Sequence, residues 1–244
     1  MRLLFYSFSS LLLSASLCFA SPPTNEEMTS WLNKNPDEVI KYQADNNSAT
    51  PTDKDWDVFP KNISFYDSDP RTFKEIFLTN KQHAYLVPIS LNNRGRNSMF
   101  HIALVIPEQQ KVIPLLDSLV KEVDDVQDLN ADNISEIIIH QTSSGGGSEC
   151  GTKAIIQLNE NGTIKILHSC NIESNKGMFG ENSSRYFEKN AKWEFIDVDN
   201  NGIRELKETL IVSKGKDHKS PLVSTTIKFY KLINNNFELQ EKKK

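Results

Sequence analysis

An acidic nine-residue segment occurs twice in this chain, each time beside apolar, β-branched stretches. The first copy is Asp128-Leu-Asn130-Ala-Asp132-Asn133-Ile134-Ser-Glu136 and the second is Asp197-Val-Asp199-Asn-Asn201-Gly202-Ile203-Arg-Glu205. Oxygen-bearing side chains fall at positions 1, 3, 5 and 9 of both copies. Position 6 is Asn or Gly, the residues that best tolerate a left-handed backbone. Alternating side chains of a tight turn converge on one point, and four or five hard oxygens there suit calcium. Runs such as Glu136-Ile-Ile-Ile139 favour strands, so each loop is expected to join two strands.

The rest of the chain agrees with a mainly β protein carrying a short α-helical N-terminal region. Thr24 and Glu27 form a capping-box pattern, Met28, Trp31 and Leu32 give the apolar stripe behind it, and Asn35-Pro36 opens a second short helix. Residues 45–57 are polar and turn-rich. Asp69-Pro70 predicts a further helix through Leu78. From Ala84 onward the period becomes that of strands: 85–91, 100–106 and 111–116, then 123–129, 136–141, 153–158 and 163–168, then 193–198, 206–212, 224–232 and 237–240. The organisation expected is a leader at 1–20, a helical region and linker at 21–82, and a β-rich domain at 83–244 with acidic-loop repeats at 120–170 and 190–241. Antiparallel, blade-like sheets follow, in a propeller-like or an irregular assembly.

Residues 1–20 read as a secretory signal: Arg2, an apolar run from Leu3 to Leu17, and a small-residue cleavage site at Cys18-Phe-Ala20. Five serines interrupt the run, which argues against a membrane anchor, and nothing later is apolar enough to span a bilayer. Removing Arg2 changes 28 basic and 32 acidic residues to 27 and 32, a net charge of −5. An acidic chain without a basic block gives no footprint for nucleic acid. The expected location is periplasmic or secreted. Cys150 and Cys170 then remain, and an even pair in an exported chain suggests a disulfide. If Leu158 pairs with Thr163 around Asn159-Glu-Asn-Gly162, the two cysteines lie almost opposite each other. A zinc site from Cys150, Cys170, His140 and His168 is the alternative.

The pattern D-x-[DN]-x-[DN]-[GN]-x-x-E between apolar strands resembles the calcium loops of FG-GAP or VCBS-type repeats, found in integrin α-subunit propellers and in exported bacterial proteins. The resemblance spans roughly 120–241. It implies that Asp128, Asn130, Asp132 and Glu136 coordinate through side chains and Ile134 through its carbonyl. In the second copy it implies Asp197, Asp199, Asn201, Glu205 and the Ile203 carbonyl. An EF-hand is the structural competitor, because Glu208 stands at position 12 of the second copy, although Ile139 stands there in the first. Turns whose Asp and Asn side chains cap backbone amides without metal are the other alternative.

For catalysis the sequence offers Ser143-Ser-Gly-Gly-Gly-Ser-Glu-Cys-Gly151-Thr-Lys153. Thr152-Lys153 reverses the order of a phosphate loop, and Cys150 replaces the second glycine of a nucleophile elbow around Ser148. A flexible connection between strands, or a backbone-rich ligand surface, is the simpler reading. His83, His101, His140, His168 and His218 are scattered without ligand spacing. The expectation is an exported, calcium-stabilised binding or interaction module, without catalytic activity, for a protein or glycan ligand. A hydrolase using the Gly145–Cys150 loop and an inhibitor or accessory factor of an extracytoplasmic enzyme are the alternatives.

Overall fold

The computed structural model describes residues 21–34, 63–65, 72–91, 99–115, 122–145, 147–176, 186–216 and 221–240. The expected leader, the second short helix, the 45–57 loop, Asp69-Pro70 and His218 lie outside the described residues. Those described form one α-helix, α1 (Asn25–Lys34), a 3-10 turn at Pro107–Gln109 and thirteen strands. In chain order these are β1 (Ile63–Ser64), β2 (Lys74–Phe77), β3 (His83–Leu91), β4 (Met99–Ile106), β5 (Lys111–Leu115), β6 (Glu122–Gln127) and β7 (Glu136–Gly145). Then follow β8 (Ser148–Leu158), β9 (Ile164–Ser174), β10 (Tyr186–Ile196), β11 (Glu205–Gly215), β12 (Leu222–Ile233) and β13 (Asn236–Leu239). All strand pairs are antiparallel. The protein is mainly β, as expected.

Helix α1 starts where the capping box places it. Thr24 Oγ1 accepts the Glu27 amide at 3.2 Å, and the Glu27 carboxylate accepts the Thr24 amide at 2.8 Å, so two otherwise unpaired donors are satisfied reciprocally. Within the helix expected over Asp69–Leu78, Lys74–Phe77 are instead the strand β2, and residues 69–71 lie outside those described. A helix of about ten residues gains little on its own. The free edge of β3 offers Lys74–Phe77 a ladder, and Ile76 and Leu78, two apart, both become buried.

A five-stranded sheet runs β1-β3-β4-β5, with β2 beside β1 on the same edge of β3. An eight-stranded meander runs from β6 to β13 in sequence order. Its middle is weakly joined, because among the described residues β9 and β10 pair only at Glu188↔Ser174 and Lys189↔Glu173. The meander therefore folds into two layers, β6–β9 and β10–β13, with no closed barrel.

Residue parity assigns each face. Odd positions of β7 (Ile137, Ile139) and even positions of β8 (Ala154, Ile156, Leu158) pack with Leu86, Leu104 and Leu115 of the first sheet. The opposite faces, Ile138 and Ile155, pack with Leu206, Leu232 and Phe237 of the second layer. Tyr85, Val87, Ala103 and Val105 face the other way, onto Met28, Trp31 and Leu32 of α1. The order of layers is thus helix, first sheet, β6–β9, β10–β13. A strand sandwiched between layers must be apolar on both faces, which is why Glu136-Ile-Ile-Ile139 runs without alternation.

Candidate metal centre and the cluster beside it

The acidic loops connect β6 to β7 and β10 to β11, and they have the same backbone. Position 1 accepts the amides of positions 5 and 6: Asp128 takes Asp132 and Asn133 at 3.2 and 3.0 Å, and Asp197 takes Asn201 and Gly202 at 3.1 and 3.0 Å. The position 9 glutamate accepts the position 2 amide, Glu136 from Leu129 at 2.7 Å and Glu205 from Val198 at 3.0 Å. Position 5 accepts the amide of position 7, Asp132 from Ile134 at 2.8 Å and Asn201 from Ile203 at 2.7 Å. Positions 4 and 6 are left-handed in both, with φ of 57° and 61° at Ala131 and Asn133 and of 56° and 83° at Asn200 and Gly202. The two copies are one structural unit repeated, joined by strands rather than the helices of an EF-hand.

In the second loop Asp197, Asp199 and Glu205 each offer an oxygen, and these atoms lie within 4.8 Å of one another. Three hard, anionic ligands at that spacing fit a divalent cation. A positive group already sits on two of them: the Lys231 ammonium is 3.3 Å from Asp199 Oδ2 and 3.6 Å from Glu205 Oε1. That contact raises the lysine pKa, with the Asp199 hydrogen bond the largest cause. The donor set and the cationic stand-in both agree with a metal site. Asn201 Oδ1 is turned to the Ile203 amide, and the Ile203 side chain packs on the core between the layers.

The first loop differs in what surrounds its position 9 glutamate. Glu136 is fully buried, and Gln157 donates to its Oε1 at 2.7 Å from the neighbouring strand. Gln157 occupies the place that Lys231 has beside Glu205, so a neutral amide replaces an ammonium. Burial pushes the Glu136 carboxyl up to about 7, with Asp132 and Asp128 adding to the rise, against the lowering effect of the Leu129 amide and Gln157. Asn130 holds Asp132 side chain to side chain at 2.9 Å. Among the described residues, only the second loop gathers three carboxylate ligands closely.

The loops also stack. The Arg204 amide, position 8 of the second loop, donates to the Leu129 carbonyl at 2.7 Å. The Ser135 amide, position 8 of the first loop, donates to the Phe77 carbonyl of β2 at 2.9 Å. Each loop is docked on the layer before it.

Sequence reasoning missed a polar cluster between the two layers of the meander. Glu208 is 3% exposed, and its carboxylate accepts from Trp193 Nε1 at 3.1 Å and Tyr230 OH at 3.3 Å and lies 3.1 Å from His168 Nε2. The His168 hydrogen bond is the largest influence holding the Glu208 carboxyl below its ordinary value, against desolvation. Glu208 occupies position 12 of its repeat, where the first copy has Ile139, so an acid replaces a core isoleucine. The only signal was Glu208 itself, and its partners became visible through register. Nearby, His140 Nε2 is buried without a hydrogen-bond partner.

The expected disulfide is not formed, and Cys150 and Cys170 are free. The turn holds one residue more than expected, so Leu158 pairs with Ile164, and a bulge between Ile155 and Ile156 adds a further shift. Cys150 thus pairs with Glu173, and Cys170 with Lys153. Three positions along a strand is roughly 10 Å, and an odd offset puts the thiols on opposite faces, beyond disulfide geometry. The same separation dismantles the four-residue zinc set. Burial pushes the Cys170 thiol up to about 11, with Glu208 adding to it.

The glycine-rich segment is not a loose connector. Strand β7 continues to Gly145, which pairs with Ser148 at the start of β8. Gly151 fits there because a Cβ would lie 2.0 Å from the Gln141 carbonyl oxygen. The His168–Glu208 pair is remote from Ser148: His168 lies opposite Ile155, seven positions along β8 and roughly 23 Å away. One depression of about 670 Å³ lies on α1, lined by Asn25, Glu26, Thr29, Ser30, Asn33 and Lys34. Among the described residues no helix is long and apolar enough to cross a membrane. No family model matches the chain, and no curated protein or solved structure matches it either.

Proposed function

We propose that the protein is an exported, calcium-stabilised interaction module whose acidic loops act as structural clamps. The observation that carries this is the convergence of Asp197, Asp199 and Glu205 within 4.8 Å on a loop whose backbone is repeated at Asp128–Glu136. The reading extends the resemblance to FG-GAP and VCBS-type repeats. A cation at the second loop would be held by Asp197, Asp199 and Glu205, with Asn201 and the Ile203 carbonyl as neutral oxygens. At the first loop the corresponding groups are Asp128, Asn130, Asp132, Glu136 and the Ile134 carbonyl. The metal would supply charge neutralisation and cross-linking rather than chemistry. Calcium is favoured over magnesium because a loop that supplies most of the ligands from the protein, at irregular spacing, suits calcium's flexible shell, whereas magnesium demands near-ideal octahedral geometry and keeps several waters.

Chain residues do the remaining work. Position 1 aspartates hold the turn closed through two amides, and position 9 glutamates tie it to the following strand. Such a scaffold needs no catalytic residue, and its partner is a protein or a glycan met outside the cytoplasm. Calorimetric titration of the purified, EDTA-treated protein with calcium and, separately, magnesium tests this reading. Saturable calcium binding that weakens at least tenfold in Asp197→Ala is expected. Absence of calcium binding, or equal binding of both ions, would remove the calcium clamp.

A further inference from the structure

We infer that the outer face of the β10–β13 layer is an interface between two copies of this chain. The repeat supplies the argument. Register makes Glu205, Lys207 and Thr209 of β11 the counterparts of Glu136, Ile138 and His140 of β7, since each set begins at position 9 of its loop. Their cross-strand neighbours correspond too: Phe229 opposite Lys207 matches Ile155 opposite Ile138, and Ile227 opposite Thr209 matches Lys153 opposite His140. In the first repeat this face is covered by the next layer, and Ile155 and Leu129 are both 0% exposed. In the second repeat no described residue covers it, and Phe229 and Val198, the same two places, are 37% and 63% exposed.

The exposed apolar side chains gather there. Ile196, Val198, Val223, Ile227, Phe229 and Ile233 belong to this face or to the loop at its end, and each is at least 36% exposed. Val223, Ile227 and Phe229 fall on one face of β12, and a row of exposed apolar side chains of this kind marks an interaction site rather than a solvated face. Its shape is that of the buried counterpart, a twisted antiparallel sheet, so the occupant it fits is another sheet stacked face to face.

Charge identifies a second copy as that sheet. Lys192, Lys207 and Lys231 interleave with Glu188, Glu194, Glu205 and Glu238 on the same face, so a chain of net charge −4 presents a nearly neutral surface here. Lys207 and Glu194 already pair at 2.9 Å. A two-fold axis through the face brings each row of mixed charge against its own copy, without the repulsion that the rest of the acidic surface would meet. Strands β10 to β12 span roughly 33 Å by 15 Å in projection, about 500 Å², and β13 together with the side chains standing off the sheet extends this toward the ~800 Å² that one partner contributes to a stable interface. The inference stands on packing and does not require that the loop hold a cation.

Light scattering during gel filtration of the purified protein, over roughly 1 to 100 µM, tests it. The wild type should be a concentration-dependent dimer, and Phe229→Asp and Ile227→Lys should each weaken the dimer at least tenfold. Their thermal midpoints at the dilute end should match the dilute wild type, which separates loss of contact from loss of fold. Leu239→Ser, on the opposite face of the layer, should leave the dimer intact. A wild type that is monomeric throughout, or a dimer that survives both substitutions, overturns the inference.

Discussion

Leu129 and Val198 hold the same place in the two loops, and their environments predict opposite consequences of truncation. Leu129 is fully buried, packed with Ile138, Ile155 and Leu206, and its carbonyl is capped by the Arg204 amide. Leu129→Ala removes three carbons, about 2.4 kcal/mol of lost transfer energy at ~0.8 kcal/mol per buried methylene. The cavity left between two sheet layers adds to that, so the expected cost is about 3 to 4 kcal/mol, within the range for buried leucines. For a chain of 150 to 250 residues each kcal/mol lowers the midpoint by roughly 2 to 4 °C, so the shift should be about 6 to 16 °C. Val198 is 63% exposed, and Val198→Ala should cost less than about 0.5 kcal/mol. Thermal and denaturant unfolding followed by the fluorescence of Trp193, which packs on this core, would measure both, at sub-micromolar protein to exclude copy-to-copy contact. Similar losses for the two variants would refute the assignment of layers, because they would mean that Val198 is covered in the single chain or that Leu129 is not.

Two further outcomes follow from the cluster and the cysteines. Because the folded-state pKa of Glu208 lies below its ordinary value, the stability it provides is fully present above the unfolded value near 4.5 and is lost as pH falls through the folded one. Glu208→Gln should therefore cost about 1 to 3 kcal/mol at pH 7, a gap that narrows as pH falls below about 4.5, and a gap independent of pH would exclude the His168 pairing. Under non-reducing conditions peptide mapping should find Cys150 and Cys170 unlinked, with the exposed Cys150 alkylated before Cys170, whose thiol is pushed up to about 11. A bridged peptide would contradict the observed register.

Much of the fold was legible because strand length and turn chemistry act locally. Strands β3 to β13 all appear where period and turn residues place them, although β8, β9 and β10 run five, six and seven residues beyond the bounds read at one end, and the capping box located α1. Strand ends were underestimated wherever polar residues continue the ladder, as Thr142-Ser143-Ser144 do in β7, since pairing with β8 stabilises them whatever their hydropathy. Lys74–Phe77 was misread because an edge-strand partner ten residues away decides its state, not Asp69-Pro70. The cysteine pairing failed for a similar reason: one bulge and one extra turn residue are invisible to counting and shift the register by two places, which leaves Cys170 opposite Lys153, three residues from Cys150. At the candidate site, the repeated acidic pattern marked both loops. What it could not carry was their inequality, which comes from Gln157 and Lys231 on neighbouring strands and from the layer that covers Leu129 and leaves Val198 exposed.

Thermal unfolding with EDTA and with millimolar calcium tests the central claim, that the Asp197–Glu205 loop is a cation clamp. A ligand bound only by the folded state and present at a hundredfold excess over its dissociation constant adds about 2.7 kcal/mol. For a chain of this size that raises the midpoint by roughly 5 to 11 °C. The rise is expected in calcium, and Asp197→Ala should abolish more of it than Asp128→Ala does. Identical midpoints in EDTA and calcium would contradict the claim and leave Lys231 as the only cation that the loop holds.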